Sequence, residues 1–234
     1  MTRRTWWGWG TEDQVVDGDA LRSIAAAITK RPGFEDLDGT VAVPPDVEAL
    51  DLPPVRIAPP VSLDHLCSTA PYDRASHTYG KAFRDVVRAL DGDVSAAPDV
   101  VAFPTSEDDV VALLDWCTSN AVAAIPYGGG STVVAGVEAR GLRDRFDGVV
   151  SIDLTRLDRV LEVDTTSRAA RIQGGALGPV LEEQLRPHGY TLRHFPQSFE
   201  FSTLGGWLAT RSGGHYATVY THIDDLVLPG RGSR

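Results

Sequence analysis

The sequence predicts a mixed α/β fold, α+β in overall layout, and three observations carry that prediction. From Pro98 onward, short apolar runs alternate with segments of helical period. The apolar run Ala121 to Ile125 leads directly into the consecutive glycines 128 to 130. Two further runs of alternating polarity, Val160 to Val163 and Ala169 to Ile172, flank the polar turn Asp164 to Ser167, as an antiparallel pair with one buried face would. At 234 residues and 42% hydrophobic content the chain can bury a real core, as one large domain or two small ones.

Residues 1–93 read as a helical and extended N-terminal region, and residues 94–234 as the α/β unit. Near the start, Trp6, Trp7 and Trp9 alternate with Gly8 and Gly10, and burial of the flat rings against the main body is the expected use. Helices are expected over Asp19 to Lys30 and over Tyr79 to Leu90. Between them the pairs Pro44-Pro45, Pro53-Pro54 and Pro59-Pro60 forbid continuous helix or central strand, so this stretch reads as an extended arm over another surface.

In the second region Asp99 to Phe103 is a short strand ended by Pro104, and Ser106 with Asp109 opens a helix running to about Ser119. Val110, Leu113, Leu114 and Cys117 fall on one face of it. Ala121 to Ile125 is the next strand and completes a β-α-β unit with the glycines at its carboxyl end. Gly148 to Leu154 is an alternating strand. Leu177 to His188 is a helix with Pro179 in its first turn and Gly189 as its stop.

Composition narrows the function. A formal charge of -10 and a pI near 5.0 exclude a non-specific grip on nucleic acid or anionic lipid, so an anionic cofactor must be held by local donors. Cys67 and Cys117 have no metal-ligand spacing and read as inert thiols. The histidines form no H-E-x-x-H pattern and read as solvated or structural, with His215 and Tyr216 set just after a glycine pair; no metal site is expected. No apolar run approaches a membrane span and the N-terminus lacks a signal-type apolar segment, so a cytoplasmic protein is the expectation.

The run Pro126-Tyr127-Gly128-Gly129-Gly130-Ser131-Thr132 could be a bed for a phosphate. Residues without Cβ let backbone N–H groups approach an anion, and two hydroxyls add donors beside them. A structural turn accounts for a short glycine run equally well. A nucleotide P-loop is a poor match because no Lys follows Gly130, and a Rossmann loop is a poor match because G-x-G-x-x-G is absent. A second segment, Phe195 to Gly214, combines Ser198, Ser202, Thr203, Thr210 and Ser212 with the pairs Gly205-Gly206 and Gly213-Gly214. It offers many donors and close backbone access to a flat or phosphorylated ligand.

These two segments together, Pro126 to Thr132 and Gln197-Ser198-Phe199-Glu200-Phe201-Ser202-Thr203 followed by Thr210-Arg211-Ser212-Gly213, resemble the FAD-binding domain of the vanillyl-alcohol oxidase and p-cresol methylhydroxylase (PCMH) superfamily. Within it the likeness is to alkyldihydroxyacetonephosphate synthases and bacterial FAD-linked oxidases, supported by Trp7-Gly8-Trp9-Gly10, Asp99 to Thr105 and Ile223 to Leu226. The resemblance implies a two-subdomain PCMH-type fold and non-covalent FAD. Gly128 to Gly130 would donate N–H groups to its two phosphates, with Gln197 to Thr203 and Thr210 to Gly213 lining the flavin and ribityl chain. Ser131-Thr132 reverses the family's usual Thr-Ser, and Gln197 stands where Asp is common; both keep hydrogen-bonding capacity. Arg211 reads either as a flavin contact or as a surface cation, and Glu200 either as buried or as a cap for the following helix.

After Val227 the chain reads Leu228 to Arg234 and stops, whereas the family continues into more of the FAD domain and a substrate-binding cap. The expectation is therefore a fold incomplete at its C-terminus. It would be the FAD-binding portion of a flavin-dependent oxidoreductase or alkylglycerone-phosphate synthase-like enzyme acting on a small molecule. The alternative is a non-catalytic remnant, or one piece of a split enzyme whose partner chain carries the cap.

Overall fold

Four strands, β1 (Cys67–Ser68), β2 (Val100–Ala102), β3 (Val122–Tyr127) and β4 (Gly148–Asp153), form one sheet in the order β1-β2-β4-β3. In this computed structural model residues 3–34, 36–218 and 222–228 are described; residues 229–234, on which the expectation of a fold incomplete at its C-terminus partly rests, lie outside them. Strands β2, β4 and β3 run parallel, and β1 joins the edge antiparallel to β2. The edge strand thus comes from before residue 94. Helix α5 (Glu107–Ser119) carries the chain from β2 to β3, past the place that β4 later fills.

Register explains the core. Val100, Ala102, Val150, Ile152 and Val122 share one sheet face and pack with Leu113 and Cys117 of α5 and with Leu63 of a short helix, α2 (Val61–Asp64). Ala123, Ile125 and Val149 share the other face and pack with Ala139, Val137 and Phe146. All six residues of β4 are buried, so the alternation expected for it is absent: a central parallel strand is covered on both faces. On α5, Leu113 and Cys117 are buried, whereas Leu114 is exposed, so its apolar stripe is narrower than the period suggested. The expected cap is present: Ser106 Oγ accepts from the N–H of Asp109, and Asp109 accepts from the N–H groups of Thr105 and Ser106.

A second layer holds β5 (Val160–Asp164) and β6 (Ala169–Ile172), paired antiparallel as expected, with α6 (Gly178–Leu185) and α7 (Leu204–Ala209). Their core is Ala176, Leu181, Leu185, Leu204, Trp207 and Ile223. A 3-10 turn, Arg186–His188, extends α6, and Gly189 ends it at a φ of 78°.

The N-terminal region contributes α1 (Gly18–Ile28), α3 (Pro71–Ser76) and α4 (Phe83–Leu90). Helix α4 begins four residues later than the expected Tyr79, because Ala82 is its cap and its N–H donates to Asp85. The proline stretch is the extended arm foreseen, and one buried carboxylate ties it down. Asp99, fully buried, accepts from the backbone N–H of Arg56, from the Arg56 guanidinium and from the N–H of Val149. Arg143 adds a second guanidinium to Asp99 and donates to the carbonyl of Pro54. Burial disfavours the charged carboxylate, but these donors outweigh it and hold Asp99 below the usual carboxylate range.

Candidate functional site

The glycine loop leaves the carboxyl end of β3, beside the carboxyl ends of β2 and β4, where open parallel sheets leave room for ligands. A cavity of about 250 Å³ lies there. Its walls are the N-terminal arm (Arg4 to Gly10), helix α3, the loop residues Tyr127 to Gly129, the end of β4 at Asp153, and Phe201 from the second segment. The cavity therefore gathers residues from distant parts of the chain.

Two properties of the loop stand out. Among the described residues, no protein acceptor takes the N–H of Gly128, Gly129, Gly130 or Ser131. A run of unpaired backbone donors beside a cavity is what an anion site supplies. Secondly, the glycines are required by the protein itself: a Cβ on Gly129 would overlap the carbonyl of Phe201, and one on Gly128 would overlap the Thr203 hydroxyl. The missing side chains let the second segment close onto the loop. Tyr127, buried, donates its hydroxyl to the carbonyl of Ser76 at 3.1 Å, and burial pushes its phenol well above the usual range. Pro126 is exposed, and Thr132 Oγ1 accepts from the N–H groups of Val134 and Gly136.

The second segment is divided. Phe201 lines the cavity, while Ser202 and Thr203 are buried just behind it. Their hydroxyls are already engaged: Trp207 Nε1 donates to Ser202 Oγ at 2.6 Å, Ser198 Oγ donates to the same oxygen, and Thr203 Oγ1 accepts from the N–H of Gly206 as the cap of α7. Phe199 stacks on Trp207, and Gln197 and Glu200 are exposed. Thr203, not Glu200, caps α7. Thr210 to Gly213 do not border the cavity; Thr210 Oγ1 donates to the carbonyl of Gly206, and exposed Arg211 pairs with Asp224. His194 packs on Trp207, buried with its Nε2 unpartnered, and burial, with the charge of His222, lowers its pKa. His215 and Tyr216 lie outside the cavity wall.

Several lining residues were not among those the sequence singled out for the site. Arg4 donates to the carbonyl of Gly129 at 3.0 Å and to that of Glu200 at 3.4 Å, and lies over the ring of Phe201. It thereby bridges the two segments from the N-terminal arm. Trp6 and Trp7 pack into an N-terminal core, as expected, but Trp9 is 43% exposed, lines the cavity and meets Phe201 edge-on. His77 is buried, its Nε2 hydrogen-bonded to Asp153 at 3.0 Å and its Nδ1 to the carbonyl of Asp73 at 2.7 Å. The signals that could have revealed this wall were the Trp-Gly arm with a preceding arginine, and Gly80-Lys81, whose close approach to the loop needs the glycine. Cys67 and Cys117 are remote from it, both thiols pushed up to about 11 by burial.

Unpaired N–H groups, flanking cations and aromatic walls at the end of a parallel sheet are the features of a site suited to a phosphorylated, flat-ringed cofactor. Residues 98–229 match the family described as the FAD binding domain, and the chain belongs to that family. The alkyldihydroxyacetonephosphate synthase of Dictyostelium discoideum is 45% identical over 158 residues, which is 68% of this chain and 25% of the relative. The enzyme of the same name from Trypanosoma brucei brucei is 38% identical over 160 residues, 68% of this chain and 26% of the relative. A solved alkyldihydroxyacetonephosphate synthase superposes with a TM-score of 0.80 at 35% identity, over 94% of this chain and 46% of that one. The chain thus spans about a quarter of the length of these curated relatives. Its fold is the α+β FAD-binding fold, its cofactor is FAD, and it is the FAD-binding domain of an alkyldihydroxyacetonephosphate synthase-like flavin enzyme. Among the described residues no helix is long and apolar enough to cross a membrane, and no cluster of ligating side chains could hold a metal.

Proposed function

We propose that the chain holds FAD non-covalently, with the diphosphate on the N–H groups of Gly128 to Ser131 and the rest of the cofactor extending past Phe201 along residues 197 to 203. The observation that carries this reading is the run of unpaired N–H groups at the cavity edge. Bound FAD supplies two-electron redox chemistry at its ring system. The residues of this chain bind it, orient it and, through the N-terminal arm, exclude water from the diphosphate side.

The relatives' name carries the reading further: the domain serves an enzyme that forms alkyldihydroxyacetone phosphate, a role supported by 45% identity to the Dictyostelium enzyme. Residues 1–93 and 94–234 would act together in this, because the cavity draws walls from both. Purified protein should be yellow and release free flavin into the supernatant on acid precipitation. Flavin retained in the pellet would overturn the non-covalent reading, and no flavin at all would overturn the site. Incubation with an acyl dihydroxyacetone phosphate and a fatty alcohol tests the activity; product formed by the flavin-loaded protein supports it, and bound FAD without turnover favours a non-catalytic domain or a split enzyme.

A further inference from the structure

The cavity is bordered by two cations, and among the described residues neither forms an ion pair with a carboxylate. Lys81 is partly buried and gives its Nζ only the carbonyl of Trp6, at 3.3 Å. Arg4 gives its guanidinium to the carbonyls of Gly129 and Glu200. Both are fastened to the glycine loop. Besides the Arg4 contact, the backbone N–H of Lys81 donates to the carbonyl of Thr132 at 2.8 Å, an approach so close that a Cβ on Gly80 would overlap the same carbonyl. The loop's carbonyl groups at Gly129 and Thr132 are thus occupied, while its N–H groups remain unpaired. Thr5, in the same wall, has a buried hydroxyl without a partner. In a chain of net charge -10, two cations without a carboxylate ion pair beside unpaired donors form a site suited to an anion.

We propose that Lys81, together with Arg4, neutralises the diphosphate of the bound dinucleotide, so that the glycine loop supplies the hydrogen bonds and these two side chains supply the charge. This rests on the FAD reading above and adds a charge requirement to it. A loop of backbone dipoles alone would leave a doubly charged group poorly compensated in a half-buried place.

The arrangement has a pH signature. Burial, with the charge of Arg4, lowers the Lys81 pKa to about 8, and Asp85 acts the other way. Arg4 from the arm and Asp85 from α4 act on it directly, and the other titratable groups around the same cavity are Asp73 from α3, His77 just after α3 and Asp153 at the end of β4. A bound anion raises the Lys81 pKa. Affinity is therefore full below about pH 8 and falls above it, by up to about tenfold per pH unit, until the pKa of the bound state is reached.

The test is equilibrium titration of the whole chain with FAD, followed by flavin fluorescence, from about pH 6 to about pH 10. Lys81→Met should weaken FAD by roughly 10- to 100-fold near neutral pH and abolish the fall above pH 8. Lys81→Arg should restore affinity to within about threefold and stay level across the range, because guanidinium does not titrate there. A folded Lys81→Met protein that binds FAD as tightly as the unaltered chain overturns this inference alone. So does a fall above pH 8 that persists in Lys81→Arg. Failure of the unaltered chain to bind FAD overturns the FAD reading and this inference with it.

Discussion

The glycine loop and the hydroxyl-rich segment that closes onto it look equally suited to a ligand in sequence, yet they use their polar groups in opposite ways. In the loop, the N–H groups from Gly128 to Ser131 have no protein acceptor among the described residues, and two of its glycines line the cavity. In the segment the hydroxyls are consumed internally: Ser198 Oγ donates to Ser202 Oγ, which also accepts from Trp207, and Thr203 and Thr210 are engaged by the backbone of α7. Richness in hydroxyls is therefore no measure of availability to a ligand. What distinguishes a binding segment is donors left unpaired, and that is a property of the fold rather than of composition.

Four perturbations break or sharpen that contrast. The largest effect is expected from Gly129→Val. The new Cβ meets the backbone carbonyl of Phe201, which has no room to yield, so the two segments are forced apart. Calorimetry should show a loss of about 3 kcal/mol or more, with flavin retention abolished. Normal stability with flavin lost would mean that the glycine serves the ligand alone. Next is Asp99→Asn, a change in the sheet away from both segments. It removes the charge that balances Arg56 and Arg143 and should cost about 3 kcal/mol by denaturant unfolding. Its folded-state pKa is depressed, so its contribution is present above the unfolded carboxylate pKa and lost as pH falls through the folded value; the unaltered chain should weaken progressively below about pH 4, and Asp99→Asn should flatten that limb.

Ser202→Ala leaves the buried Trp207 N–H without its acceptor and should cost about 1 to 3 kcal/mol while FAD affinity stays within a few-fold. A large affinity loss at unchanged stability would move Ser202 from the supporting layer to the cofactor. The smallest effect is expected from Arg211→Ala. Its ion pair with Asp224 is solvent-exposed, so stability should change by under about 1 kcal/mol and FAD affinity should not change. A clear affinity loss there would show that Thr210 to Gly213 contact the cofactor.

His194 gives the hydroxyl-rich layer its own acid response. With a folded-state pKa below its unfolded value, the unfolded chain binds its proton first, so stability drops as pH falls below about 6.5. The protection factor of the Trp207 amide, measured against its intrinsic exchange rate at each pH, should fall over that range before that of Val149 does.

Local signals were legible where local physics decides the outcome. The cap at Ser106 and Asp109, the β5–β6 pair, the stop at Gly189 and the loop after β3 all follow from short-range pattern. The strand Cys67–Ser68 and helices α2 and α3 were hidden between prolines, too short to show a period. The even burial of β4 depends on its insertion between β2 and β3, which happens in chain order only after β3. Most of the cavity wall was invisible for a related reason. Arg4 and Gly129 are 125 positions apart and His77 and Asp153 are 76 apart, so neither pair leaves a spacing to read. Trp9 was expected to be buried with its neighbours, but only Trp6 and Trp7 have a core to enter.

The claim that the glycine loop, rather than the hydroxyl-rich segment, receives the diphosphate is tested most directly by amide NMR of the labelled chain titrated with FAD. The N–H resonances of Gly128, Gly129, Gly130 and Ser131 should shift strongly downfield as they acquire phosphate acceptors, while those of Thr210 to Gly213 stay in place. Shifts confined to residues 197 to 213, with the loop amides unmoved at saturating FAD, would contradict the account.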